Sequence, residues 1–116
     1  MKVLVIDDDK VVRDFLGRFF NLKGLGADVV ESGADAIEAL KKINYQIVFI
    51  EIKMPVMDGL ETLIELKKIK PDIRYIMMTG DYTDARIEGA RAAGAEICMK
   101  KPFDLAELSG VIAEFI

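Results

Sequence analysis

Short runs of consecutive apolar residues alternate with longer amphipathic stretches along the whole chain. An unbroken apolar run indicates a strand covered on both faces, whereas apolar residues at every third or fourth position indicate a helix with one buried face. The predicted strands are residues 3–6, 28–30, 46–50, 73–78 and 95–99. The predicted helices are residues 9–22, 33–43, 59–70 and 83–93, and a last helix that Lys101–Pro102 opens. Strand and helix units therefore alternate five times.

Parallel strands need helical crossovers, and right-handed crossovers place helices on both faces of the sheet. A chain of 116 residues has the length of one domain and is too short for two cores. We therefore predict a single α/β domain over residues 1–116, with a doubly wound, five-stranded parallel sheet and helices on both faces. In such sheets the reactive groups gather at the carboxyl ends of the strands.

Two of the predicted helices carry apolar stripes that indicate their buried faces. The first helix has two adjacent rows at spacings of four: Val11, Phe15 and Phe19 beside Val12, Leu16 and Phe20. In the last helix a common face is formed by Leu105, Leu108, Ile112 and Phe115. We expect both stripes to face the core.

Composition excludes several kinds of chemistry. The chain has no histidine, which excludes a histidine base, histidine-ligated zinc and a Ser-His-Asp triad. The single cysteine, Cys98, can form neither an internal disulfide nor a thiolate cluster, and is expected to be a small buried apolar residue. A net charge of −4 without a basic block argues against nucleic-acid binding. No apolar run is long enough to cross a bilayer, so a soluble, cytoplasmic protein is expected.

The residues just beyond the predicted strands are the candidate functional residues. They are Asp7, Asp8 and Asp9 after the first strand, Glu51 after the third, Thr79 after the fourth and Lys101 after the last. The predicted fold brings them into one pocket. Crowded carboxylates need a cation, and ligation by oxygen alone favours Mg²⁺. A lysine and a threonine hydroxyl suit phosphoryl oxygens, so the set indicates phosphoryl transfer.

Four short segments at these positions resemble the motifs of bacterial two-component response-regulator receiver domains, a family with the CheY-like, flavodoxin-like fold. They are Val5-Ile6-Asp7-Asp8, residues 54–59 (Met-Pro-Val-Met-Asp-Gly), Met78-Thr79-Gly80 and Lys101-Pro102-Phe103. Each is weak alone, but four in order at the family's spacing are specific, and the resemblance extends over the whole chain. It implies a strand order of 2-1-3-4-5. It also implies a receiver module of a phosphorelay that acts by protein–protein interaction and is not an enzyme.

The resemblance further implies roles for the pocket residues. The implied Mg²⁺ site consists of Asp7, Asp8, Glu51 and the backbone carbonyl of Lys53. Thr79 would sense the phosphoryl group, and Lys101 would pair with it. A histidine kinase or phosphotransfer protein would contact the first helix and the pocket loops. A downstream protein target would dock on the fourth helix, fifth strand and fifth helix, with the domain a monomer or a weak dimer.

Two positions depart from the family's pattern. The phosphate-accepting aspartate of a receiver lies two residues before position 53, where this chain has Glu51, whose carboxylate extends about 1.5 Å further. A misplacement of about 1 Å can slow in-line transfer on the order of a hundredfold. Cys98 stands where receivers commonly have an aromatic residue. We therefore expect phosphorylation to be lost, or mimicked by a Glu51 carboxylate that reaches Lys101 and Thr79 and weakens Mg²⁺ binding.

Three alternatives remain open at the level of sequence. Glu51 could simply neutralise Lys101 in an ion pair instead of mimicking the activated state. Asp9 could be a third metal ligand, although an aspartate that opens a helix is typical of an N-cap. The pattern Asp-x-Asp-x-Val from Asp7 also resembles haloacid-dehalogenase-like, Mg²⁺-dependent phosphatases, with Asp7 as nucleophile and Asp9 as general acid. The chain is short for those enzymes and lacks their later acidic pair.

Overall fold

The computed structural model describes residues 1–81 and 83–115, so Tyr82 and Ile116 of the predicted domain lie outside the described residues. Strands and helices alternate within the described part of the chain. The strands are β1 (Lys2–Ile6), β2 (Gly26–Val30), β3 (Ile47–Glu51), β4 (Arg74–Thr79) and β5 (Ile97–Lys100). The helices are α1 (Lys10–Leu22), α2 (Gly33–Lys42), α3 (Gly59–Ile69), α4 (Asp84–Ala92) and α5 (Leu105–Ala113).

The strands form one parallel sheet in the order β2-β1-β3-β4-β5, which confirms the predicted fold and strand order. The register aligns the carboxyl ends of the central strands. Ile6 of β1 pairs with Ile50 of β3, and Glu51 of β3 pairs with Met78 of β4. The residues that follow or end these strands therefore lie side by side at one edge of the sheet.

The sheet has an apolar layer on each face, as the unbroken apolar runs predict. On one face, Leu4 and Ile6 pack with residues of α2, α3 and α4 such as Leu40 and Leu66. On the other face, Val3 and Val5 pack with α1 and α5, through residues that include Leu16, Phe20, Leu108 and Ile112. Burial of apolar surface in these two layers is the main force that holds the fold together.

The last helix begins later than the sequence predicts. Lys101–Pro102 does not open it, because these residues form a loop with a cis peptide bond between them. Asp104 is the N-cap instead, and its Oδ1 accepts a hydrogen bond of 2.8 Å from the backbone N–H of Glu107. Leu105 therefore lies in the first turn and is 51% exposed, so its predicted place on the buried face is wrong.

The buried face of α1 is narrower than predicted. Leu16, Phe19 and Phe20 are buried, whereas Val11 is 75% exposed and Phe15 is 44% exposed. A row of residues spaced by four drifts around a helix of 3.6 residues per turn. The early members of the row therefore rotate away from the sheet. Among the described residues, no helix has the length and apolar character that a membrane span requires.

Candidate functional site

The side chains of Asp7, Glu51 and Lys101 meet at the carboxyl edge of the sheet. Lys101 Nζ donates a hydrogen bond of 2.6 Å to Asp7 Oδ2 and one of 3.1 Å to Glu51 Oε1. Asp7 is 1% exposed and Glu51 is 9% exposed, while Lys101 is partly buried. Three residues far apart in the sequence thus form one ion-paired cluster, as their positions at the strand ends predict.

The sheet itself fixes the positions of these residues. The backbone N–H of Lys101 donates to the carbonyl of Thr79 at 2.8 Å, which ties the start of the β5–α5 loop to the end of β4. The N–H of Ile52 donates to the carbonyl of Met78 at 2.9 Å and continues the β3–β4 pairing by one residue. Glu51 and Thr79 are the last residues of β3 and β4. The sequence predicts each of them one residue beyond the end of its strand.

The first loop is organised by the carboxylates of Asp7 and Asp9. Asp7 Oδ1 accepts a hydrogen bond of 2.9 Å from the N–H of Asp9. Asp9 Oδ1 accepts one of 2.9 Å from the N–H of Val11, so Asp9 is the N-cap of α1. The capping interpretation is confirmed. Because the Asp9 carboxylate satisfies a helix terminus, this arrangement gives no support to its alternative role as a phosphatase general acid.

Both carboxylate oxygens of Glu51 have donors. Oε1 contacts Lys101, and Oε2 accepts a hydrogen bond of 2.9 Å from the N–H of Ile52. Burial raises the pKa of Glu51, and the nearby charge of Asp7 adds to this effect. Burial opposes the charged form of Lys101, but the hydrogen bond to Asp7 and the two carboxylate charges outweigh it and raise the pKa of Lys101.

Three of the predicted site residues do not join this cluster. Thr79 is fully buried, and its hydroxyl oxygen accepts a hydrogen bond of 3.0 Å from the N–H of Asp81. Within residues 1–81 and 83–115 it makes no hydrogen bond to Glu51. Asp8 and Lys53 are exposed in their loops. The expected hydrogen bond between Lys101 and Glu51 is present, whereas none joins Glu51 to Thr79 in the part of the chain that the structure describes.

The cluster does not fit a metal ion as it is arranged. No group of three Asp, Glu or Cys side chains in the described parts of the chain is placed to hold a metal. Asp7 and Glu51 direct one oxygen each to the Lys101 ammonium and the other to a backbone N–H. The ammonium therefore supplies the positive charge that the crowded carboxylates need.

Arg13 is a pocket residue that the sequence analysis missed. Its Nη1 donates a hydrogen bond of 2.9 Å to the backbone carbonyl of Asp7, and its Nη2 lies 3.8 Å from Glu31 Oε2. The arginine side chain is 15% exposed, while that of Glu31 is largely exposed. Side chains of a helix lean toward its N-terminus, so an arginine four residues after the N-cap can reach back over the first loop. The spacing of four residues between Asp9 and Arg13 is the sequence signal from which this contact could have been predicted.

Cys98 lies on β5 and packs against the core layer that contains Ile50 and Met77. It is half-buried, which agrees in part with its predicted role as a small buried apolar residue. Burial, together with the charge of Glu51, raises the pKa of its thiol. A thiol of raised pKa is a poor nucleophile at neutral pH.

Comparison with known proteins gives consistent sequence matches. Residues 3–113 match the family model of the response regulator receiver domain. Sporulation initiation phosphotransferase F of Bacillus subtilis is 30% identical over 115 residues, which cover 99% of this chain and 93% of that protein. Response regulator MprA of Mycobacterium avium is 31% identical over 109 residues, 93% of this chain but 47% of MprA. The chain thus spans about half the length of the MprA relatives.

Solved structures show the same fold. A two-component response regulator from Clostridium difficile has a TM-score of 0.95 at 25% identity, with 99% of this chain and 94% of that chain covered. The response regulator TrrA from Thermotoga maritima, in complex with Mg²⁺-BeF, has a TM-score of 0.87 at 29% identity, with 99% and 98% covered. Nothing in these matches supports a haloacid-dehalogenase-like phosphatase. The chain belongs to the response regulator receiver domain family of two-component systems.

Proposed function

We propose that this receiver domain signals by protein–protein contact from a pocket in which Glu51 replaces the phosphate-accepting aspartate and phosphoryl transfer is lost or strongly slowed. The observation that carries the proposal is the hydrogen bond of 3.1 Å between Lys101 Nζ and Glu51 Oε1. The Glu51 carboxylate is held from both sides, since Ile52 N–H binds its other oxygen. A carboxylate so engaged is poorly placed for in-line attack on a phosphoryl donor.

The contacts favour a neutralised pocket over full mimicry of the activated state. A mimic of the phosphoryl group would engage the Thr79 hydroxyl as well as Lys101. Here the Thr79 oxygen accepts from Asp81, and Glu51 directs its oxygens to Lys101 and Ile52. One carboxylate charge also falls short of the charge of about −1.5 to −2 on a phosphoryl group. We therefore assign Glu51 to an ion pair that keeps the domain in one signalling state.

Receiver domains typically bind Mg²⁺, and we propose that such binding is weakened in this chain. Asp7, Asp8, Glu51 and the carbonyl of Lys53 are the residues that would supply oxygen ligands. A divalent ion would have to compete with the Lys101 ammonium for Asp7 and Glu51. The hydrogen bond of 2.6 Å between Lys101 and Asp7 is short and charge-assisted, which makes that competition costly.

Receiver domains interact with histidine kinases or phosphotransfer proteins and with downstream effectors. For this chain we propose that the downstream target docks on α4, β5 and α5. Among the residues described there, charged side chains such as Arg91, Lys100 and Glu107 are exposed. Apart from Leu105 at the start of α5, no large apolar side chain of these elements is exposed within the described residues. A target on this face would bind mainly through polar contacts and hydrogen bonds.

The test compares the wild type with Glu51→Asp, each incubated with Mg²⁺ and a small acyl-phosphate donor. We expect stable phosphoryl labelling of the aspartate variant alone, because the shorter side chain restores the acceptor and its reach. Glu51→Gln is the matched control, since it keeps the length of the wild-type side chain without a nucleophilic carboxylate. Stable labelling of the wild type at the rate of Glu51→Asp would contradict the proposal. Labelling is read by intact mass, and far-UV circular dichroism checks that all three proteins are folded.

A further inference from the structure

A cavity of about 390 Å³ lies at the edge of the sheet where the strands begin, opposite the edge that carries Lys101. Its lining includes residues 45–46 before β3, residues 70–74 between α3 and the start of β4, and Phe115 after α5. Among the described residues that form this lining, none belongs to α1, α4, β5 or α5. The cavity is therefore separate from the surfaces that the proposed function uses. Its volume lies in the range of about 300–1,000 Å³ that is typical of small-molecule sites.

The apolar wall of this cavity is held in place by the fold. Tyr45 is 4% exposed, Ile73 is 9% exposed and Phe115 is half-buried. The Tyr45 hydroxyl donates a hydrogen bond of 2.7 Å to Asp28 Oδ2, and the same oxygen accepts one of 3.1 Å from Lys2 Nζ. A wall that is formed before binding lowers the cost of ordering on binding, and its two aromatic residues suit a flat ring.

Two cations, Arg74 and Lys70, belong to the lining, and most of their donors are available. Arg74 Nη1 donates a hydrogen bond of 3.1 Å to Glu96 Oε1, in an ion pair whose side chains are 54% and 41% exposed. The other guanidinium N–H groups have no acceptor within residues 1–81 and 83–115. The guanidinium carbon lies 5.4 Å from the centre of the Phe115 ring, which places the charge beside the apolar wall. Lys70 Nζ makes one long contact, 3.4 Å to Asn44 Oδ1. Such exposed contacts contribute little, so both cations can bind a ligand.

Several hydrogen-bond acceptors of the lining, in contrast, are already occupied. Gln46 Oε1 accepts a hydrogen bond of 2.7 Å from the N–H of the first residue of β1, and the Gln46 carbonyl accepts one of 3.1 Å from the N–H of Arg74. The Lys70 carbonyl accepts one of 2.8 Å from the Tyr75 hydroxyl. The exposed carboxylate of Asp72 has no ion pair among the described residues. The lining therefore offers free donors and two positive charges against one negative charge.

We infer that this cavity binds a small organic anion that combines a flat aromatic ring with one anionic group. The ring packs between Tyr45 and Phe115, and the anionic group accepts charge-assisted hydrogen bonds from Arg74 and Lys70. A cationic ligand would meet two like charges and few free acceptors. A neutral ring would leave the donors of both cations without a partner. This inference does not depend on the chemistry of the Glu51 pocket, which lies at the opposite edge of the sheet.

The test uses the dye anilinonaphthalene sulfonate, which joins aromatic rings to one sulfonate, in a fluorescence titration of the wild type. We expect saturable binding, with amide NMR shifts centred on Ile73 and Arg74. Phenylnaphthylamine, which has the same rings without the sulfonate, is the matched control and should bind at least about tenfold more weakly. The inference would be overturned by an absence of saturable binding up to about 1 mM dye. Shifts confined to residues outside the cavity, or equal binding of the two compounds, would overturn it as well.

Two substitutions with opposite expected effects test the charges. Arg74→Gln should raise the dissociation constant of the dye by about tenfold, because it removes a charge-assisted hydrogen bond. A misfolded variant would instead expose apolar surface and bind more dye. Arg91→Gln is the matched control, since Arg91 forms a similar exposed pair with Glu88 at 3.3 Å but lies outside the cavity, and it should leave the constant unchanged. Asp72→Asn should lower the constant for the dye by about threefold and leave that of phenylnaphthylamine unchanged, because it removes a like charge. An unchanged constant in Arg74→Gln, or a raised one in Asp72→Asn, would contradict the inference.

Discussion

Glu51 and Asp7 share the single ammonium of Lys101, and the sharing is unequal. The distance from Lys101 Nζ is 2.6 Å to Asp7 and 3.1 Å to Glu51. One positive charge cannot fully compensate two buried carboxylates, so the more distant one keeps an unfavourable environment. The raised pKa of Glu51, caused first by burial and then by the charge of Asp7, expresses this imbalance. Glutamate has one methylene more than aspartate, and this methylene brings the Glu51 carboxylate to Lys101. The ionised form of the side chain is therefore destabilised by burial at that position.

This cost predicts a pH dependence that Glu51→Gln should remove. Because the pKa of Glu51 is raised in the folded state, the folded protein binds a proton at pH values where the unfolded chain has released it. The wild type should therefore lose stability relative to Glu51→Gln as the pH rises above the ordinary glutamate value of about 4.3. The difference should level off once the pH exceeds the raised pKa. Urea unfolding at a series of pH values measures the free energy of unfolding of both proteins.

The control for this comparison is Glu88→Gln on α4, which removes the same charge from a side chain that is 72% exposed. The variant Glu51→Gln has one acceptor oxygen in place of two, so it loses one of the hydrogen bonds from Ile52 N–H and Lys101 Nζ. That loss shifts the difference in unfolding free energy by a constant, whereas the titration of Glu51 makes the difference depend on pH. If wild type and Glu51→Gln kept a constant difference in unfolding free energy from pH 4 to pH 8, or if the difference ran in the opposite direction, the assigned effect of burial on Glu51 would be wrong.

At the level of elements, the junction between β3 and α3 holds the pocket's backbone in place. The N–H of Gly59 donates a hydrogen bond of 2.7 Å to the carbonyl of Ile52, which brings the first residue of α3 against the end of β3. A Cβ at Gly59 would overlap the carbonyl oxygen of Glu51 and lie 2.6 Å from Ile52 Cα. Both neighbours are backbone, so neither can move without displacing the strand. Position 59 therefore requires glycine, because the backbone of Glu51 and Ile52 lies too close to it for a Cβ atom.

Gly59→Ala should therefore destabilise the domain by about 1–3 kcal/mol, the usual cost of forcing extra volume into a packed site. Gly110→Ala is the matched control, since Gly110 lies in α5 and a Cβ there meets nothing within 4 Å. Alanine in an exposed helix should stabilise the protein by about 0.5–1 kcal/mol. Chemical denaturation of the two variants gives both numbers. Equal effects from the two substitutions would show that backbone contact at Gly59 does not limit stability.

The elements themselves were predictable because their signals are local and repeated. Apolar runs identified β1, β3 and β4, shorter apolar segments indicated β2 and β5, and the crossover rule made the sheet parallel. The start of α5 was not predictable in the same way, because Pro102 and Asp104 are both typical of helix starts. The prediction that Val11 and Phe15 of α1 face the core was wrong for a related reason. Both residues follow the helical period, but the period does not determine how wide a face of the helix the sheet covers.

The cluster of Asp7, Glu51 and Lys101 was predictable from topology alone, since parallel strands bring their carboxyl ends to one edge. The contacts inside the pocket were not. The Thr79 hydroxyl could have faced Glu51 or its own loop, and the structure directs it to Asp81. Arg13 reaches the Asp7 carbonyl through a long side chain whose rotamer the sequence does not specify. Strand ends follow from the fold, whereas hydrogen-bond partners depend on rotamers that only coordinates provide.

At the scale of the whole molecule, the pocket joins separate strand and helix units into one thermodynamic unit. Lys101 is separated by 94 residues from Asp7 and by 50 from Glu51, so these contacts exist only when the complete sheet is formed. A ligand that binds this pocket must therefore stabilise the entire domain against unfolding. The midpoint temperature of thermal unfolding therefore reports whether a ligand is bound in the pocket.

Magnesium provides the corresponding test of the whole domain. We expect Mg²⁺ to raise the unfolding temperature of Glu51→Asp more than that of the wild type, because the shorter side chain withdraws from Lys101 and frees carboxylate oxygens for the ion. At a hundredfold excess over its dissociation constant, a ligand stabilises the folded state by about 2.7 kcal/mol, a shift that scanning calorimetry resolves. Asp7→Asn in the Glu51→Asp background should abolish the shift, since Asp7 supplies the most buried carboxylate of the cluster. Sodium at matched ionic strength separates binding from screening. A wild type stabilised by Mg²⁺ as strongly as Glu51→Asp would mean that the Lys101 ammonium does not compete with the metal.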